Sequence, residues 1–406
     1  MAHTQYLKAV KITEKVYWVG AVDWNVRDFH GYKTERGSTY NAYLIMDEKI
    51  TLIDSVKAPF KNHLMSRIKS LIDPTKIDYI VSNHAEPDHS GCLAEVVAEI
   101  KPEKLFASVA GKKALEAHYT FDMEITAVKT GDEISIGKDA IKFIETKMLH
   151  WPDSMFSYLV NDKLLFSQDA FGMHLAGSQL FADEYSADIL FHESEKYYAN
   201  ILLLYSGKIK QLLEQLPSFN LDIDIICPDH GPVWRRPEDI EKVLSWYSSW
   251  CEQTFSNKAI VIYDTMWHST EAMALAIGDG LRDSGCVTEI INVTARDRSY
   301  VATQMLEAGA IVVGSPTLNN NIFPSMADVL TYLRGLRPEK RIGAAFGSLG
   351  WSGEAVKQLE EYLQSMKVEI VAEAIRQKYV PTEDDLKKCY DMGMTVGSEL
   401  LKRLNK

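Results

Sequence analysis

His84-Ala85-Glu86-Pro87-Asp88-His89 places four potential metal ligands within six residues. The apolar run before it, Ile77-Asp78-Tyr79-Ile80-Val81-Ser82, reads as a buried strand. After it, Leu93, Val96, Val97 and Ile100 recur at helical spacing. The hexapeptide is therefore a strand-to-helix turn, which can converge side chains that a straight element would spread. A lone loop histidine is usually just surface, but four ligand types in one turn suggest a metal. Three more candidates end other predicted strands: His150 in Met148-Leu149-His150-Trp151-Pro152-Asp153, Asp169 after Phe166-Ser167-Gln168, and His230 in Cys227-Pro228-Asp229-His230-Gly231. Seven ligands are too many for one tetrahedral ion and suit two ions sharing a bridging carboxylate.

Outward from this set, the chain divides into two patterns. Up to about residue 252, short strands are separated by turns: Val16–Val19, Asn41–Ile45, Thr51–Asp54, a pair around Asn161-Asp162, and Ile223–Cys227. With helices interspersed, they predict an α/β sandwich of two sheets. From 257 to 406, β-α alternation is strict. The strands are Ala259–Tyr263, Val287–Val293, Ala310–Val313, Ile342–Phe346 and Val368–Val371. That pattern predicts a doubly wound parallel sheet of five strands. The polar stretch Glu252–Asn257 separates two domains, 1–252 and 257–406.

The second domain carries three loops at strand ends, where such sheets bind ligands. Thr265-Met266-Trp267-His268-Ser269-Thr270 opens a helix, whose N–H groups and hydroxyls make an anion nest without Lys or Arg. The same residues also read as a plain helix cap. Ser315-Pro316-Thr317, with Asn319 and Asn320, follows the third strand; Ser348-Leu349-Gly350-Trp351-Ser352-Gly353 follows the fourth. Gly-rich backbone admits a planar ring, and Trp351 is placed to stack on one. No G-x-G-x-x-G opens a βαβ unit, so a mononucleotide is favoured over a dinucleotide.

Composition narrows the classes. Of 406 residues, 46% are apolar and 25% charged, as in ordinary globular proteins. The net charge of −12 argues against nucleic acid and against an anionic membrane surface as partners. Five dispersed cysteines without a C-x-x-C exclude a thiolate zinc knuckle or a Cys-ligated cluster, and fit a reducing compartment. Met1–Gln5 has no basic segment followed by an apolar stretch, and no run of about 18 apolar residues occurs. A cytoplasmic protein with neither signal peptide nor span is expected.

The pattern H-x-E-x-D-H, then His, Asp and His, resembles the metallo-β-lactamase fold. Hydrolases of that fold have His at the second motif position, where this chain has Glu86. The harder, more anionic donor favours iron over zinc and points to the flavodiiron branch. The run Ala21–Tyr32 looks like that family's N-terminal signature, and Thr-x-x-x-Ser-Thr resembles a flavodoxin phosphate loop. The resemblance covers nearly the whole chain. It implies an αββα sandwich followed by a flavodoxin-like sheet. It further implies one iron with His84, Glu86 and His150, a second with Asp88, His89 and His230, and Asp169 between them. In the family the counterpart of His89 does not always ligate. The implied flavin is FMN.

His30 and Tyr197 would line the reaction pocket; composition alone leaves them a loop histidine and a core tyrosine. Asp54 could orient a ligand imidazole or cap its strand, and His268 could face the phosphate or solvent. The implied reaction is reduction of oxygen to water, or of nitric oxide to nitrous oxide. No further module is expected after Lys406, so a separate donor, rubredoxin or another reductase, would supply electrons. A head-to-tail homodimer, or a tetramer built from it, is implied as well. The competing classes are a dizinc hydrolase with an appended flavodoxin, and an electron-transfer module with a degenerate metal site.

Overall fold

In the computed structural model, which describes residues 6–405, the strand before the hexapeptide is Tyr79–Ser82. It lies inside a seven-stranded sheet ordered Val10–Lys11, Val16–Trp18, Tyr43–Ile45, Thr51–Ile53, Tyr79–Ser82, Lys104–Ser108, Ile125–Val128. The first four are joined by antiparallel pairing, and from Thr51–Ile53 onward the neighbours run parallel. A second sheet holds Glu133–Ser135, Ala140–Glu145, Met155–Leu159, Leu164–Gln168 and Ile225–Pro228. Its last pair is parallel, so the two chain segments leading to Asp169 and His230 leave the sheet at the same end.

Two apolar layers hold this unit together. Trp18, Ile53, Val81, Phe143, Leu159 and Phe166 pack between the sheets. Leu44, Leu52 and Ile80, on the opposite face of the first sheet, meet Leu64, Ile68, Val96 and Leu115 of the covering helices. Strand alternation sends neighbouring residues to opposite faces: Ile80 and Val81 fall in different layers. Two strands that periodicity did not reveal, Lys104–Ser108 and Ile125–Val128, complete the parallel part. Ser108 ends the first of them and accepts the Gly111 N–H, starting helix Val109–His118.

In the second unit the sheet order is Val287–Asn292, Lys258–Tyr263, Ala310–Gly314, Ile342–Leu349, all parallel. The fifth position is shared by two short segments, Glu369–Ile370 and Ile375–Lys378, which both pair with Ile342–Leu349. This order, 2-1-3-4-5, is that of flavodoxins and puts a switch point between the first and third strands. Helix Glu383–Leu404 crosses Ser269–Asp283 at glycines: a Cβ on Gly280 would strike the Tyr390 carbonyl, and one on Gly393 the Ile277 carbonyl. By contact density the first compact unit comprises Met1–His30, Thr34–Tyr197 and Gly207–Ser248, and the second Gly31–Lys33, Tyr198–Ser206 and Ser249–Lys406. Met1–Gln5, on which the absence of a signal peptide was read, lie outside the described residues.

Candidate metal centre and flavin cleft

The hexapeptide turns tightly. His89 and Ser90 N–H groups both donate to the Glu86 carbonyl at 2.9 Å, forming the short helix Pro87–Ser90. Ser55 Oγ donates to the His89 carbonyl and Ser90 Oγ to that of Ala85, at 2.5 and 2.7 Å. The loop bearing His150 is tied to Asp169 by one amide: Gln168 Nε2 donates to the Leu149 carbonyl at 2.5 Å, and Gln168 Oε1 accepts the Asp169 N–H at 2.7 Å. Gln168 does this from a left-handed conformation (φ 44°), where its strand register shifts. Such backbone strain gathers where surroundings over-determine a site.

These supports bring all seven predicted ligands together. One cluster is His84, Glu86, His150 and Asp169; the other is Asp88, His89 and His230. Asp169 stands between them. Its Oδ2 lies 3.3 Å from His84 Nε2 and 3.1 Å from His150 Nε2. Its Oδ1 lies 3.3 Å from His89 Nε2 and 3.5 Å from His230 Nε2. Glu86 Oε2 closes the first cluster at 3.2 Å from His150 Nε2, and Asp88 Oδ2 closes the second at 3.1 Å from His230 Nε2. Both Asp88 oxygens, Asp169 Oδ2 and His89 Nε2 are buried without a hydrogen-bond partner. Buried polar atoms without partners are costly, and a pair of cations would satisfy them. The residues therefore fit a dinuclear metal site.

Charge in the cluster is strongly coupled. Burial opposes ionisation of Asp169 and Asp88, yet the facing imidazoles hold both carboxyls well below the usual range. Burial likewise lowers the histidines, but Asp88, Asp169 and Asp229 outweigh it and push His89 up to about 10. Burial lowers His150 as well, but the facing Asp169 and Glu86 carboxylates outweigh it and raise it to about 9. Each carboxylate thus requires positive charge facing it. Divalent ions meet that requirement with neutral imidazoles, releasing protons as they bind.

Outer partners set which imidazole nitrogen faces inward. His84 Nδ1 donates to Asp153 Oδ2 at 3.0 Å; the same oxygen accepts the Ala85 N–H at 2.6 Å. His230 Nδ1 donates to the Thr39 carbonyl at 2.5 Å. Of the two readings of Asp54, the structure fits the strand-end cap and not the imidazole partner: its carboxylate accepts the N–H and the side-chain amide of Asn83, at 2.7 and 2.8 Å. Asp54 therefore pins the strand end, one residue before His84.

Around the cluster, Tyr197 is buried with its ring 5.2 Å from that of His174 and 6.2 Å from that of His230. His30 is 78% exposed, with Nε2 3.8 Å from Glu86 Oε1. His174 was not anticipated. It is buried, shares Ser38 Oγ at 2.8 Å, and burial holds it neutral. Asp153 ends the quoted stretch Met148–Asp153, three residues after a candidate ligand, and that proximity was the available signal. Nothing in the local sequence marks His174.

In the second unit a cleft of about 720 Å³ opens at the strand ends. Its lining includes Met266, Trp267 and Ser269 from the first loop, Pro316, Thr317, Asn319 and Asn320 from the second, and Ser348, Leu349, Gly350, Trp351 and Ser352 from the third. Trp267 and Trp351 are 81% and 89% exposed, leaving flat aromatic faces for a ring. Thr265 Oγ1 and Thr317 Oγ1 are buried without partners, and helix Ser269–Asp283 has no side-chain cap. A phosphate and a polar ring edge would satisfy these groups, so the residues fit a flavin mononucleotide.

The remaining predicted residues stand apart from the lining. Thr270 Oγ1 and Ser348 Oγ bond each other at 2.9 Å, joining the first loop to the third. Ser315 Oγ accepts the Phe323 N–H. Gly353 adopts φ 141° at the start of helix Glu354–Ser365. His268 faces solvent and bonds Glu271 at 2.6 Å. Leu318, Tyr379 and Val380 also line the cleft and were missed. The latter two follow Ile375–Lys378, a four-residue strand with one apolar residue, too short to show a period.

Comparison with known proteins agrees with both halves. Residues 39–231 match the ODP family beta lactamase and residues 261–393 the flavodoxin family. The chain belongs to the flavodiiron protein family, oxidoreductases that join these two folds. Within it, the chain is closely related to rubredoxin:oxygen oxidoreductase. The Desulfovibrio gigas structure of that name superposes with a TM-score of 0.96 at 42% identity, covering 98% of this chain and 100% of that one. The flavodiiron protein of Giardia intestinalis superposes at 0.95 with 37% identity, covering 99% and 98%. A Moorella thermoacetica protein named nitric oxide reductase is 44% identical over 96% of this chain and 98% of its own length. Among the described residues no helix is long and apolar enough to cross a membrane.

Proposed function

We propose that this chain reduces oxygen to water at a diiron site, using electrons passed through FMN from a separate donor such as rubredoxin. The observation that carries the reading is the Asp169 carboxylate, whose two oxygens face two different ligand clusters. His84, Glu86 and His150 would hold one iron, and Asp88, His89 and His230 the other. Bound FMN supplies stepwise electron transfer, and the iron pair supplies binding and reduction of a small diatomic oxidant.

The protein's own part is positioning and protons. Asp153 and Thr39 keep His84 and His230 turned with Nε2 inward. Tyr197 walls the pocket with a buried ring. His30, exposed to water and close to Glu86, can hold a proton at Nε2 and exchange it with solvent. Reduction of oxygen consumes one proton per electron, so a solvent-linked imidazole at the rim suits the reaction. On the cleft side, Thr265 and the uncapped helix would take the phosphate, and Trp351 would stack on the ring.

Nitric oxide reduction at the same site is the second reading, favoured by the relative named for that activity. The rubredoxin donor is supported by the name of the 42% identical relative. The head-to-tail homodimer is supported by family membership. The test is side-by-side turnover: purified protein, reduced rubredoxin and either gas, followed anaerobically. Consumption of oxygen well above nitric oxide supports the first reading, and the reverse the second. Consumption of neither contradicts both.

A further inference from the structure

Apart from the metal centre and the flavin cleft, the first unit contains a cleft of about 340 Å³ that neither function uses. Its walls are mostly apolar, with Trp18, Trp24, Val22, Leu175 and Leu180. Two polar side chains of helix Lys61–Lys69 enter it, His63 and Arg67, one helical turn apart. The guanidinium of Arg67 is held rigidly. It lies 4.4 Å over the Trp18 ring, Nε donates to the Gly20 carbonyl at 3.0 Å, and Nη1 donates to the Lys8 carbonyl.

Among the described residues no carboxylate pairs with Arg67, and Nη2 has no acceptor. That is unusual for a half-buried arginine in a chain with 56 acidic against 44 basic residues. A desolvated guanidinium with a free donor edge is suited to a carboxylate. Two other polar side chains of the wall, Asn41 and Thr39, are already engaged. Asn41 bonds Trp18, Pro228 and Gly231, and Thr39 Oγ1 accepts the Gly231 N–H. They offer a ligand little, so recognition falls to one cation and an apolar body.

We propose that this cleft binds a small monocarboxylate with an aromatic or branched apolar body, its carboxylate on Arg67 and its body between Trp18, Trp24 and Leu180. A single cation favours a monoanion over a phosphate ester. The volume lies at the low end of small-molecule pockets, which also favours a compact acid. His63 flanks Arg67; burial and the neighbouring guanidinium hold it below its ordinary range, so it adds a hydrogen-bonding edge without a second charge. The site carries regulatory potential through its wall. Thr39, which lines it, also holds the ligand imidazole of His230 through its carbonyl.

The test is calorimetry on the full flavin- and iron-loaded chain, with 3-phenylpropionate and its neutral counterpart 3-phenylpropan-1-ol. Saturable binding of the acid, roughly tenfold or more tighter than the alcohol, is expected for a charge-assisted contact. Arg67→Met should remove that preference, and Leu180→Trp should abolish binding of both by filling the cleft. If Arg67→Met does not fold, the acid-to-alcohol ratio and Leu180→Trp decide the matter. Absence of saturable acid binding, equal binding of acid and alcohol, or unchanged binding in Leu180→Trp would overturn the proposal.

Discussion

Asp169 is the side chain on which both ligand clusters depend. Asp169→Ala is expected to empty both metal positions while the protein keeps its yellow flavin, as iron and flavin analysis of the same sample would show. Iron content equal to wild type would refute the bridging role. Asp153 acts one step further out. Asp153→Ala should free the His84 ring and weaken metal retention by about 10–100-fold in a chelator competition. Loss no greater than that of a distant surface variant would count against it. The seven candidate ligands were readable because they crowd a turn or end a strand. Their partners were not. Asp54 and Asp153 are both acids at a strand or loop edge. Only the fold shows that one bonds the Asn83 amide and the other an imidazole.

At the scale of elements, the three loops of the second unit work as one cradle. Trp351→Ala removes an exposed aromatic face and should weaken FMN retention without changing iron content. Unchanged flavin affinity and redox potential would exclude stacking. Thr265→Val deletes a buried hydroxyl that has no protein partner. It should weaken FMN binding while leaving riboflavin, which lacks the phosphate, unaffected; equal losses for both would show that Thr265 does not face the phosphate.

Beneath the cradle, Gly393 lets two helices touch backbone to backbone. Gly393→Val should destabilise this unit by about 1–3 kcal/mol, visible as flavin release at lower temperature. The β-α alternation made most of the sheet legible. The fifth position escaped in part because two short segments share one edge, and neither is long enough to show a period. Tyr379 and Val380 were lost with it.

For the molecule as a whole, the order of the two folds says more than either alone. A metallo-β-lactamase-like half is common to hydrolases, and a flavodoxin-like half to electron carriers. Their union, with Glu86 in place of an imidazole, defines a redox enzyme. The overall charge of −12 leaves the donor open, because many small electron carriers are also acidic.

If the assignment holds, two irons sit on either side of the Asp169 carboxylate. Anomalous diffraction at the iron edge from crystals of the purified protein tests it most directly. Two iron peaks are expected, one beside Asp169 Oδ2 with His84, Glu86 and His150, the other beside Oδ1 with Asp88, His89 and His230. A single peak, signal at the zinc edge alone, or iron bound away from Asp169 would contradict it.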